Sequence, residues 1–220
     1  MAERFPRPRR HRTRSAAGEA RSAVVRPERT ISPAHTVDLT TAPPHPSLEF
    51  RVILLDDLRA KQTLYCQHGQ TCSFARAVLA DGTLAVVLYR IQSGLAGIGL
   101  GVLALIPHLL NKWINGCVIG VRARFGPGFV LIHPIGVVIN SSVRGGRNVW
   151  LESSVVIGEN RGAFPTLGDD IFVGSGAKII GGVSLGNGAR IGANAVVLKD
   201  VGAGETAVGV PARVLAKKPG

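Results

Sequence analysis

The sequence predicts a mainly β protein. It reads as a left-handed parallel β-helix, a prism of hexapeptide repeats, preceded by a small α-helical region and a disordered N-terminal tail. Three observations predict it. From Ile119 an apolar residue recurs every six positions, in 13 of 14 successive hexads, and only Arg161 breaks the series. Glycine is abundant at 28 residues while aromatics are 5%, so the core must be built from small and branched aliphatics around many tight turns. The apolar period also changes along the chain, from none, to helical, to six.

Residues 1–47 hold nine arginines against four acids and are rich in Pro, Ser and Thr. With no apolar period they read as a disordered basic tail. Residues 48–115 read as helical. The stretch SLEFRVILLDDLRAKQTLY opens with Ser47 and carries apolar positions at helical spacing. A second segment, SFARAVLADGTLAVVLYRIQ, is broken by Asp81-Gly82. A third is almost wholly apolar from Leu95 to Leu110. It is short for a bilayer span and interrupted by glycines and Pro107, so a buried helix or an oligomer contact is expected, with membrane-surface contact as the alternative.

Residues 116–215 carry the hexads. One aliphatic per six points inward, glycine permits the corner, and three sixes make a triangular coil of about 18 residues. Each coil then hydrogen-bonds to the coils on either side. Around Arg161 the lattice fails, and with Pro165 nearby, residues 158–166 are expected to bulge as a loop. Residues 216–220 form a short C-terminal tail. A prism with exposed end coils is expected to self-associate.

The net charge is +12, of which +7 lies beyond residue 47. That balance suits an anionic, phosphorylated partner. No aromatic-interleaved basic stripe argues for nucleic acid. Cys66, Cys72 and Cys117 fit no zinc spacing and are expected to be ordinary buried thiols in a reducing compartment. Without a signal-like N-terminus, a cytoplasmic location is expected. His133 is the only histidine after position 108. It occupies the third position of its hexad, not the inward first. A core histidine, a metal ligand and a catalytic base are the alternatives. A zinc site needs more ligands than the repeat supplies, so no metal is expected.

The stretch from Tyr89 to Leu215 resembles the serine acetyltransferase group of hexapeptide acyltransferases, a branch that also includes capsule and exopolysaccharide acetyltransferases. The residues that carry the resemblance are LYRIQSG, GPGFVLIHPIGVVIN, FVGSGAKIIGGVSLGNGARIGANAVVLKDV and the closing AVGVPARVL. The resemblance implies an acetyl-CoA-dependent O-acetyltransferase, a homotrimer with sites between subunits, and His133 as general base. It places Ser175 and Ala193 along the pantetheine arm and Lys199 and Arg213 on the CoA phosphates.

The chain departs from that group at several places. Ile132 stands where an aspartate precedes the histidine, and Val118 where an aspartate opens the prism. Phe164 replaces a loop histidine. With coils of 18 residues, Trp150 is expected over Ile132, forming an apolar acceptor wall, and Glu152 is the expected orienter of His133. An ammonium in such a pocket would lack an acidic partner. A glycan or other bulky alcohol is therefore the expected acceptor. L-Serine is the alternative, and a non-catalytic trimeric scaffold is a reading of another class.

Overall fold

The computed structural model describes residues 49–67 and 73–216. The expected tail, the Ser47 helix start, Cys72 and the last four residues lie outside the described residues. Four helices come first: α1 (Glu49–Gln67), α2 (Phe74–Leu79), α3 (Thr83–Gly97) and α4 (Leu105–Ile114). Asp81-Gly82 separates α2 from α3. The long apolar segment is not one buried helix. It breaks between α3 and α4, where Gly99 adopts a left-handed φ of 84°, and Ile98, Val102, Ile106 and Trp113 are exposed. Pro107 is tolerated because it lies in the first turn of α4, where its missing N–H has no helical partner to lose. No helix of the described residues is long and apolar enough to cross a membrane.

The rest is a left-handed parallel β-helix of short strands. Sheet A stacks β1 (Val118–Ile119), β4 (Val138–Ile139), β7 (Val156–Gly158), β10 (Lys178–Ile180) and β13 (Val196–Val197). Sheet B stacks β2 (Arg124–Phe125), β5 (Arg144–Gly145), β8 (Thr166–Leu167) and β11 (Ser184–Leu185). Sheet C stacks β3 (Val130–Leu131), β6 (Trp150–Leu151), β9 (Phe172–Val173), β12 (Arg190–Ile191), β14 (Thr206–Val208) and β15 (Arg213–Val214). Pairing is parallel throughout, except that β15 folds back antiparallel on β14. Each coil donates to the next: Val118 N to Val137 O at 2.8 Å, Val138 N to Val155 O at 2.9 Å, Val156 N to Ala177 O at 2.9 Å. The apolar hexad positions are buried throughout, from Ile119 to Val197.

The coils are not all 18 residues. Leu131 pairs with Leu151, 20 residues on, while Val138 pairs with Val156, 18 on. Two extra residues therefore lie in the corner at 132–137. Across the 159–165 loop the offset becomes 22, as between Trp150 and Phe172, so four more are inserted there. Together the two insertions make one hexad and restore the phase of six. The second is the bulge expected at 158–166; the sequence hides the first because each hexad buries two positions, and Val137, Val143, Val149 and Val155 fill the second one. The consequence corrects the expected wall: Trp150 pairs with Val130, not Ile132, and Leu151 covers Leu131, not His133.

The first coil presents carbonyls with no preceding coil to donate to them, and the helical region supplies side-chain donors. Gln92 Nε2 donates to Ile119 O at 3.0 Å. Tyr89 Oη donates to Ala123 O at 3.3 Å and accepts from Phe125 N at 3.0 Å. Arg90 donates to Phe125 O and Gly126 O, both at 2.7 Å. Lys61 Nζ donates to Leu131 O at 2.8 Å. Arg90 is fixed by a two-point pair with Asp57 at 2.7 and 2.9 Å, and the same carboxylate accepts from Gly128 N and Phe129 N. Tyr89 meets Phe125 and Phe129 edge-on, and those two rings stack at 4.3 Å. Capping a sheet edge this way removes both an unsatisfied polar row and a template for further strands. Cys117 is buried against the first coil, and burial pushes its thiol up to about 12. Cys66, expected as a buried thiol, is instead exposed and disulfide-bonded.

Candidate active site

His133 stands in the corner between sheets C and A, within the two-residue insertion after β3. Hydrogen bonds anchor the corner on both sides. Ile132 N donates to Leu151 O at 2.8 Å, and Ser154 N donates to Ile135 O at 2.9 Å. Gly136 closes the turn at a φ of 75°. The imidazole projects outward with 56% of the side chain exposed, which removes the core-histidine alternative.

The carboxylate that meets it comes from the helical region. Asp81 Oδ2 lies 3.4 Å from His133 Nδ1. The two residues are 52 apart in sequence, and the α2–α3 turn brings them together. That turn needs glycine: Gly82 has a φ of 76°, and a Cβ there would collide with Leu131 O. Lys61 is 2% exposed. Its Nζ donates to Leu131 O and also to the Asp81 carbonyl. Burial lowers this lysine to about 8, and the Asp81 charge acts against that fall.

Ala80, Asp81, Gly82, Leu84, Ile114, Asn115, His133, Pro134 and Ile135 line an open cavity of about 320 Å³. Its polar groups are the Asp81 carboxylate, the Asn115 amide and the imidazole, and its walls are aliphatic. With Nδ1 turned to Asp81, Nε2 is the ring nitrogen left to accept a proton from a hydroxyl in the cavity. A carboxylate beside Nδ1 fixes the tautomer and stabilises the imidazolium that forms.

Several expected site residues fall elsewhere. Ile132 and Trp150 are half-buried and neither lines the cavity. Glu152 follows β6 one coil on, and the carboxylate at His133 is that of Asp81. Ser175 and Ala193 occupy the same C/A corner as His133, one coil apart, with Asn194 N donating to Ser175 O at 2.8 Å. Ser153 continues the column, its hydroxyl 3.4 Å from that of Ser175. Lys199 is exposed on a different corner, between sheets A and B, above the 159–165 loop that carries Phe164. Arg213 is exposed on β15 beside Val208. One chain thus brings Ser175 and Ala193 to the His133 edge and leaves Lys199 on another. Among the described residues no group of three or more His, Cys, Asp or Glu is placed to hold a metal ion.

Sequence reasoning missed Asp81, Asn115 and Lys61. Asp81 was visible only as a break between helices, and nothing local signals its partner.

Comparison with known proteins finds relatives of the same repeat architecture. Residues 164–199 match the family model "Bacterial transferase hexapeptide (six repeats)". The serine acetyltransferase of Helicobacter pylori strain J99 is 37% identical over 145 residues, which are 64% of this chain and 84% of that relative. Among solved structures, a soybean serine acetyltransferase complexed with serine is 31% identical with a TM-score of 0.70, over 77% of this chain and 70% of that one. A serine acetyltransferase in complex with CoA is 27% identical with the same TM-score, over 76% and 70%.

Proposed function

Because this chain belongs to the serine acetyltransferase family and is an acyltransferase, we propose that it carries the acetyl group of acetyl-CoA to the hydroxyl of L-serine. The observation that carries the reading is the Asp81 carboxylate beside His133 in an open cavity. His133 Nε2 takes the hydroxyl proton as the oxygen attacks the thioester carbonyl. Asp81 stabilises the imidazolium. When the carbon–sulfur bond breaks, the imidazolium returns that proton to the departing thiolate. The products are the O-acetyl ester and free CoA.

The sequence favours a glycan acceptor on two grounds, the lack of an acid next to the base in the chain and an Ile132–Trp150 wall over it. Both premises fall. Asp81 supplies the acid, and it also offers a partner for the ammonium of serine. The register moves Trp150 away from Ile132. The Helicobacter pylori relative and the two solved structures above are serine acetyltransferases. Phe164, exposed in the loop, still favours the glycan reading, because a phenyl ring cannot bind a carboxylate.

The active unit is a homotrimer with acetyl-CoA between neighbouring prisms. The support is geometric. His133, Ser153, Ser175 and Ala193 share one edge, while Lys199 and the Phe164 loop share another. A single prism cannot turn both edges to one ligand, whereas two adjacent prisms can.

The test is release of free thiol from acetyl-CoA with L-serine, measured beside a panel of sugars and nucleotide sugars, with O-acetyl-L-serine identified by mass spectrometry. Turnover of a sugar hydroxyl with L-serine inert would overturn the acceptor assignment.

A further inference from the structure

Lys61 differs from the other groups that cap the first coil. Gln92 and Tyr89 meet coil carbonyls with neutral donors, and the charge of Arg90, which also meets them, is paired with Asp57. Lys61 places a buried ammonium at the end of the row, where it reaches two carbonyls on separate segments. One is Leu131 O, two residues before His133. The other belongs to Asp81 itself. An ammonium has three donors in a fan and can hold two backbones at once, whereas burying its charge is costly unless something requires it.

We infer that Lys61 is a positioning residue for acetyl transfer: by tying the Asp81 turn to the strand that leads to His133, it sets the approach of carboxylate to imidazole. The Gly82 turn lies against the same Leu131 carbonyl, so the contact has no slack. Lys61 has 2% of its surface exposed, so it acts through Asp81 and His133 and does not touch the acceptor.

The inference rests on the acetyl-transfer reading. No turnover by the unmutated chain overturns both, and turnover that is insensitive to the variants overturns this inference alone. The variants are Lys61→Met, Asp81→Asn and the double variant, each assayed by thiol release and by thermal melting. Lys61→Met is expected to lower kcat by roughly ten- to a hundredfold, as for a small misplacement of a catalytic group, with KM for acetyl-CoA within about twofold. The double variant is expected to be no slower than the slower single one, within about threefold, because both changes remove one interaction. A melting temperature that falls while kcat holds, or losses that multiply in the double variant, would overturn it. Gly82→Ala provides a second route, since it pushes the same turn off Leu131, and is expected to lower kcat with the same unchanged KM. If neither Lys61→Met nor Gly82→Ala folds, the contact serves folding and the inference fails.

Discussion

Asp81→Asn tests the site most directly, because two carboxylates compete for one role. The isostere keeps size and hydrogen-bonding capacity but removes the charge 3.4 Å from His133 Nδ1. In water that charge stabilises an imidazolium by about 1 kcal/mol, from 332/(εr) with ε near 80. In the lone chain both side chains are more than half exposed, at 56% and 75%, so the watery value applies. In the proposed trimer, with a neighbouring prism and acetyl-CoA over the corner, an effective ε near 20 would give about 5 kcal/mol as a ceiling. The charge on the imidazole develops as the hydroxyl proton is transferred, so the loss falls on kcat. The expected fall is between roughly tenfold and a thousandfold, read by thiol release at saturating L-serine and acetyl-CoA. Glu152→Gln is the paired control and should stay within about twofold. An Asp81→Asn enzyme at wild-type rate beside a crippled Glu152→Gln enzyme would refute the geometry and reinstate Glu152.

His133→Ala should cost roughly two to four orders of magnitude in kcat while CoA binding, measured by calorimetry, holds; a variant within about tenfold of wild type removes the base. Lys199→Ala and Arg213→Ala should each raise KM for acetyl-CoA, less so for dephospho-CoA, and unchanged values in both would take these cations out of the site. Folding stability should rise by about 1 kcal/mol between pH 7 and 9. Native Lys61, lowered to about 8 from 10.5, sheds its proton before the unfolded chain does, so the unfolded state binds more protons in that window. Above pH 9 the buried Cys117, raised from 9.0 to about 12, acts in the opposite sense, because only the unfolded thiol ionises. Urea midpoints across this range should lose the rise in Lys61→Met, and a rise that persists there would refute the assignment to Lys61.

The parts of the site legible in the sequence are those the lattice repeats. His133 stood out as the only histidine after position 108, at the third position of its hexad and not the inward first, and the family resemblance put Ser175 and Ala193 one coil apart on the pantetheine arm. Asp81 was not legible, because its approach to His133 depends on a turn between two helices and on a buried lysine from a third. The same holds for Asp57 and Arg90, whose helical spacing gives no sign of burial. Their burial follows from a tertiary demand, the unpaired carbonyls of the first coil, and a period of 3.6 does not record it.

The one error of register shows how a repeat can mislead. The loop expected at 158–166 is present, with a step of ten from Ile157 to Leu167, but steps of six suggest an unbroken prism before it, where the strands step by eight from Leu131 to Ile139. Both sets of aliphatics are buried, so the hydrophobic pattern cannot distinguish them, and only the backbone pairing does. The insertions are also where chemistry is available. A regular corner is a tight turn pressed against the coils above and below, as the contacts of Gly120 and Gly174 with the next coil show. Two added residues at 132–137 lift His133 clear of that packing and leave it exposed to a ligand. Four added residues at the A/B corner extend the Phe164 loop from a different edge. The same departures that displaced Trp150 from Ile132 therefore created an outward imidazole on one edge and a projecting loop on another, and a single chain cannot bring the two together.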